Sequence, residues 1–136
     1  MSYKLYLEDR EARTLANCAS YMCQRIGNLA SIYLEDGWII ARNFDEFVAT
    51  VKLHGIPSFV SYDHDLADEH YQQHEAMNDD ERYAKLYDTF AEKTGLDCAK
   101  WLKKYCEQSG VQHPKYVIHS MNPSGKRNIE SELNNR

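Results

Sequence analysis

Four short apolar runs, separated by stretches of helical periodicity, constrain this chain more than any other feature. They are Tyr3-Lys4-Leu5-Tyr6-Leu7, Trp38-Ile39-Ile40-Ala41-Arg42, Phe59-Val60-Ser61-Tyr62 and Lys115-Tyr116-Val117-Ile118-His119. Each is short and rich in the aromatic and β-branched residues that favour strands. From about Glu11 to Leu29, the residues Leu15, Cys18, Ala19, Met22, Cys23, Ile26 and Leu29 recur at helical spacing, and Gly27 stands near the end. This predicts an amphipathic helix between the first two strands. Asn43 is placed to cap a second helix through Phe44, Phe47, Val48 and Val51, with Asp45 and Glu46 in its first turn and Gly55 and Pro57 beyond it. A third helix follows Thr94-Gly95 and stops at Ser109-Gly110, with Leu96, Ala99, Trp101, Leu102, Tyr105 and Cys106 as its apolar side. After the last strand comes a loop through Asn122-Pro123-Ser124-Gly125, then a polar terminal helix.

Strands alternating with helices imply an α/β fold with a parallel sheet of about four strands and flanking helices. The stretch 67–93 is polar and acidic, with a helical stripe at Tyr83, Leu86, Tyr87 and Phe90. It is expected as a helical insertion after the third strand. At 136 residues the chain is expected to form one domain.

The formal charge is -5, which argues against a broad basic surface for duplex DNA. No apolar run is long enough to span a bilayer, and the start of the chain lacks the pattern of a signal peptide. A cytoplasmic location is the resulting expectation. Cys18, Cys23, Cys98 and Cys106 form no C-x-x-C pair and are expected as free, buried thiols.

Sites in parallel sheets lie outside the carboxyl ends of the strands. That rim should receive Glu8, Asp9 and Arg10 from the first strand, Asp63, His64 and Asp65 from the third, and His119, Ser120 and Asn122 from the fourth. Glu8, Asp9 and Asp63 are hard oxygen donors suited to Mg²⁺; the bland alternative is three solvated carboxylates at turns. His64 and His119, near their unperturbed pKa, could serve as acid and base across a phosphodiester, with Asp63 or Asp65 orienting an imidazole. Arg10, Ser120, Asn122, Gly125, Lys126 and Arg127 could grip phosphate oxygens, helped by the dipole of the last helix. His70 and His74, spaced four apart, read as a solvated face because no third zinc ligand is evident.

The strings KLYLEDR, GWIIARNFDEF, FVSYDHDL, TGLDCAKWL and YVIHSMNPSGK, in this order, resemble the cyclic-phosphate processing receiver-domain family of bacteria and phages. The likeness covers most of the chain except about 13–35 and 67–93. It implies a receiver-like, flavodoxin-like fold. It also implies that Glu8 and Asp9 stand where receivers keep metal-binding acids, that Asp63 holds the phosphoacceptor position, and that His119-Ser120 ends the strand that usually carries a switch Ser or Thr. Glu8 replaces the family's usual Asp. The fifth strand of an ordinary receiver, with its phosphoryl-binding lysine, has no counterpart, which argues against phosphorelay signalling.

Three functions follow as expectations. The first is a phosphoesterase acting on a cyclic phosphate of a small nucleotide or an RNA end. The second is a non-catalytic sensor or sequestering module for the same ligands. The third is a degenerate receiver used for protein interaction, for which neither His64 nor His119 would be needed.

Overall fold

The computed structural model describes residues 2–64, 93–120 and 122–134. Asp65, His70, His74 and nearly all of the expected insertion at 67–93 lie outside the described residues.

The strands are β1 (Lys4–Leu7), β2 (Trp38–Ala41), β3 (Phe59–Tyr62) and β4 (Lys115–Ile118). The helices are α1 (Leu15–Ile26), α2 (Phe44–His54), α3 (Gly95–Gln108) and α4 (Pro123–Asn134). All strand pairs are parallel, in the order β2-β1-β3-β4, with Lys4 opposite Trp38 and Phe59, and Phe59 opposite Lys115. This is the expected α/β architecture. After β1 the chain moves to one side, and after β2 it crosses back to the other. The ends of β1 and β3 therefore flank a switch point, where such sheets open a crevice.

Alternation along the strands sends side chains to two separate cores. Leu5, Leu7, Val60, Tyr62 and Ile118 pack with Phe47 and Val51 of α2, with Cys98, Ala99, Leu102 and Cys106 of α3, and with Ile129 of α4. Tyr6 and Val117 face the other way, onto Cys18, Ala19 and Met22 of α1 and onto Tyr33. Each fully buried Leu or Val contributes roughly 1.5–3 kcal/mol. Ser61 sits on this second face, between Val60 and Tyr62, and is fully buried.

Helix ends follow local chemistry. The Thr14 side chain accepts the Asn17 N–H at 3.2 Å, so α1 begins later than the periodicity predicts. Gly27, at φ 62°, ends it, and a 3₁₀ helix over Gly27–Leu34 replaces the expected last turn. Asn43 Oδ1 accepts the Glu46 N–H at 2.9 Å, the cap expected for α2. The expected loop at Asn122–Gly125 is instead the start of α4: Gly125 N–H donates to Asn122 Oδ1 at 3.0 Å and Lys126 N–H donates to the Asn122 carbonyl at 2.9 Å. Asn122 is thus a helix cap, and Pro123 suits a first helical position. Cys18, Cys98 and Cys106 are buried free thiols, but Cys23 is exposed on the outer face of α1, against expectation.

Gly95 opens α3 directly against the end of β3. Its N–H donates to the His64 carbonyl at 2.8 Å, and a Cβ there would overlap the Asp63 carbonyl. Gly95→Ala is expected to lower stability by about 1–3 kcal/mol, because backbone rather than a flexible side chain must give way. Chemical denaturation measures it, and an unchanged midpoint would contradict this packing. Among the described residues no helix is long and apolar enough to cross a membrane.

Candidate functional site

The rim is assembled by backbone bonds that continue just past the strands. Glu8 N–H donates to the Ala41 carbonyl at 3.0 Å, Asp63 N–H to the Leu7 carbonyl at 3.2 Å, and His119 N–H to the Tyr62 carbonyl at 2.9 Å. Each residue is therefore held in the sheet's register rather than released into a loop. Glu8 and His119 are 0% exposed and Asp63 is 1% exposed. One ligand atom from each lies within 4.8 Å of the others.

Two buried carboxylates need a counter-charge. Arg13, from the turn before α1, supplies it. Its Nη1 lies 3.3 Å from Glu8 Oε1 and 4.0 Å from Asp63 Oδ2. The Arg13 side chain is 23% exposed, so it is the solvent-facing member of the group. The remaining carboxylate oxygens are also engaged, since Arg10 N–H donates to Glu8 Oε2 at 3.1 Å and His64 N–H donates to Asp63 Oδ1 at 2.8 Å. Arg42 Nη1 donates to the Glu8 and Arg10 carbonyls at 3.1 and 3.0 Å and holds the turn itself.

His119 is enclosed on every side. Its ring stacks on Tyr6 with centroids 4.9 Å apart. Nε2 lies 3.2 Å from Glu8 Oε1, and Nδ1 lies 2.7 Å from Ser61 Oγ. Burial pushes the imidazole down to about 4, with a smaller upward pull from Asp63 and a downward push from Arg13. The expectation of a histidine titrating near neutrality therefore does not hold for His119, which is neutral there.

His64 has different partners. Its ring packs against Gly125, where a Cβ would overlap it, and its Nδ1 lies 3.4 Å from Asn122 Nδ2. The ring is thus seated at the first turn of α4. Ser120 is buried beside it: its Oγ accepts the Asn122 N–H at 3.1 Å, and its carbonyl accepts from Arg25 Nη1 at 3.3 Å.

The structure thus brings together Glu8, Asp63 and His119 from the predicted set. Asp9, expected beside Glu8 as a ligand, is partly exposed and is not one of the three converging donors. Arg10 is exposed and contributes its backbone N–H to Glu8. Lys126 lies 3.7 Å from Glu130 on the helix surface, and Arg127 donates to Ser124 at 3.3 Å. Arg13, Ser61, Tyr33 and Arg25 were not singled out from the sequence. A polar Ser in an otherwise apolar buried strand was the one signal available for Ser61.

Two carboxylate oxygens and one imidazole nitrogen fit a divalent cation. Mg²⁺ favours all-oxygen sites, and the nitrogen broadens the choice toward first-row transition ions. Glu8 and Asp63 would hold such an ion, in competition with the Arg13 guanidinium already at the same oxygens, and His119 would join them only with its Nε2 bare.

A parallel sheet in the order 2-1-3-4, with acidic groups following β1 and β3, defines a receiver-like α/β domain. The chain belongs to the family of cyclic-phosphate processing receiver domains, which it matches over residues 3–135. No curated protein and no solved structure matches it.

Proposed function

We propose that this rim opens a cyclic phosphate on a small nucleotide or an RNA end, as a phosphoesterase. The supporting observation is the burial of Glu8, Asp63 and His119 around Arg13 at the switch point of the sheet. A fold of this kind needs no such cluster for stability, since buried ionisable groups are expensive to desolvate and concentrate at functional sites. The family's description points to the same substrate class.

In this reading Arg13 meets the phosphate first, because it faces solvent. Ser120, Asn122 and the first turn of α4 add hydrogen-bond donors, and Lys126 and Arg127 add charge from the same helix. Water attacks phosphorus, one ring P–O bond breaks, and a proton passes to the leaving oxygen. His64 is the group that exchanges protons with water and the leaving oxygen, neutral His119 donates a hydrogen bond, and Asp63 holds His64 in place by accepting its backbone N–H. A divalent cation such as Mg²⁺ would supply Lewis acidity at Glu8 and Asp63 when bound.

The complete burial of Glu8, Asp63 and His119 favours a second reading, in which the rim holds the phosphate without cleaving it. Incubation with 2′,3′-cyclic and 3′,5′-cyclic nucleotides and cyclic-ended RNA, with Mg²⁺ or EDTA, separates the two by product mass. A hydrolysed product from one class is expected. Intact ligand that raises the melting temperature would move the protein to the sensor class, and neither binding nor product would leave an interaction module.

A further inference from the structure

We infer that Ser61 and Tyr33 are positioning residues that keep the proton of His119 on Nε2, so that the ring offers the rim an N–H donor and not a lone pair. This rests on the reading of the Glu8–His119 rim as the working site. Four side chains from four separate segments form one buried chain of hydrogen bonds. Tyr33 Oη is 2.6 Å from Ser61 Oγ, Ser61 Oγ is 2.7 Å from His119 Nδ1, and His119 Nε2 is 3.2 Å from Glu8 Oε1.

The direction of the chain follows from its two ends. Glu8 is paired with the Arg13 guanidinium, so its oxygen acts as a carboxylate and can only accept. Nε2 must then carry the proton. A neutral imidazole has one N–H, so Nδ1 accepts, and Ser61 must be the donor to it. The Ser61 hydrogen is committed to Nδ1, which leaves its oxygen to accept from Tyr33. Burial raises the Tyr33 phenol well above its ordinary value, so Tyr33 retains the proton it donates. The reverse polarity would require a protonated Glu8 beside Arg13.

The chain is also held in place mechanically. Tyr33 stacks on Trp38 with centroids 5.6 Å apart and planes within 6° of parallel. Tyr6 lies against the His119 ring and blocks its tilt. Fixing a histidine's tautomer through the bond at its other nitrogen is a recognised way to set its role. Here it makes His119 a neutral hydrogen-bond donor toward a phosphate oxygen. Both proton transfers of hydrolysis, from the attacking water and to the leaving oxygen, then fall to His64.

The test is a long-range ¹H–¹⁵N correlation spectrum of the full chain at neutral pH, which reads protonated and bare imidazole nitrogens directly. The expected result is a protonated Nε2 and a bare Nδ1 for His119. Ser61→Thr should preserve that pattern, whereas Ser61→Ala and Tyr33→Phe should shift the Nδ1 resonance and weaken the tautomer preference. In turnover, Ser61→Ala should lower kcat at least about 10-fold with little change in KM, and Ser61→Thr should recover it. A proton on Nδ1 in the wild-type protein would overturn the inference even if turnover is seen. A protonated Nε2 without turnover of any cyclic phosphate upholds it and removes only the phosphoesterase reading. The wild-type spectrum decides the matter whether or not the variants fold.

Discussion

Arg13→Ala is expected to cost about 3–5 kcal/mol of stability, the typical loss when one partner of a buried ion pair is removed. Glu8 and Asp63 are fully enclosed, and the Arg13 guanidinium is within ion-pair distance of both. Without it, Glu8 keeps the Arg10 backbone N–H and the neutral His119 ring, and Asp63 keeps the His64 backbone N–H, none of which carries the lost charge. The mutual repulsion of the two carboxylates is then screened by little solvent. The companion variant Glu8→Gln removes one of the two charges while keeping its shape. The double variant should therefore recover a large part of the loss, because the two residues share one interaction and their effects do not add. Millimolar Mn²⁺ should raise the melting temperature of Arg13→Ala more than that of the wild type, since a cation can then occupy the place of the guanidinium. Urea denaturation of the four proteins of the cycle gives the coupling. A loss for Arg13→Ala below about 1 kcal/mol, the range of exposed pairs, would mean that solvent already screens the cluster.

The sequence revealed the frame more readily than the site. The strands were legible because KLYL, WIIA, FVSY and KYVI are short apolar runs bounded by polar turns, and all four occur in the structure. Their alternation with helices was enough to infer a parallel sheet. Glu8, Asp63 and His119 were legible because each directly follows a strand, and topology alone then places them on one rim. Arg13 was not, because turn residues carry no period that says which of Arg10 and Arg13 turns inward. The structure chooses Arg13 because Thr14 caps α1 immediately after it, fixing where the guanidinium leaves the chain. Tyr33 lies 28 positions from Ser61 in a 3₁₀ segment whose start at Gly27 cuts short the predicted helix. Its pairing is a long-range contact with no local signature. The difference between His64 and His119 was equally hidden: both follow strands, yet one is seated against α4 and the other is sealed between Tyr6, Ser61 and Glu8.

Stability should fall steeply as the pH drops from about 6.5 toward 4, and two histidines account for the window. Burial pushes both His113 and His119 from 6.5 down to about 4. For His113, the bond to the Pro114 carbonyl opposes this displacement and the charge of Lys103 reinforces it. Its Nε2 lies 2.7 Å from the Tyr62 hydroxyl, beneath the core of α2 and α3. Between the two pKa values the unfolded chain binds protons that the folded chain refuses. Unfolding is then favoured as pH falls, and the slope follows the difference in bound protons. The neutral rings' full contribution is therefore present above about pH 6.5, is lost progressively below it, and levels off once the folded state also protonates near 4. A tenfold change in proton affinity corresponds to about 1.4 kcal/mol, so each histidine accounts for a few kcal/mol. Urea midpoints measured across this range should fall monotonically, and His113→Gln should remove about half of the slope. A flat profile between pH 6.5 and 4 would show that both rings protonate in place, and so that water reaches His119 and the rim it occupies.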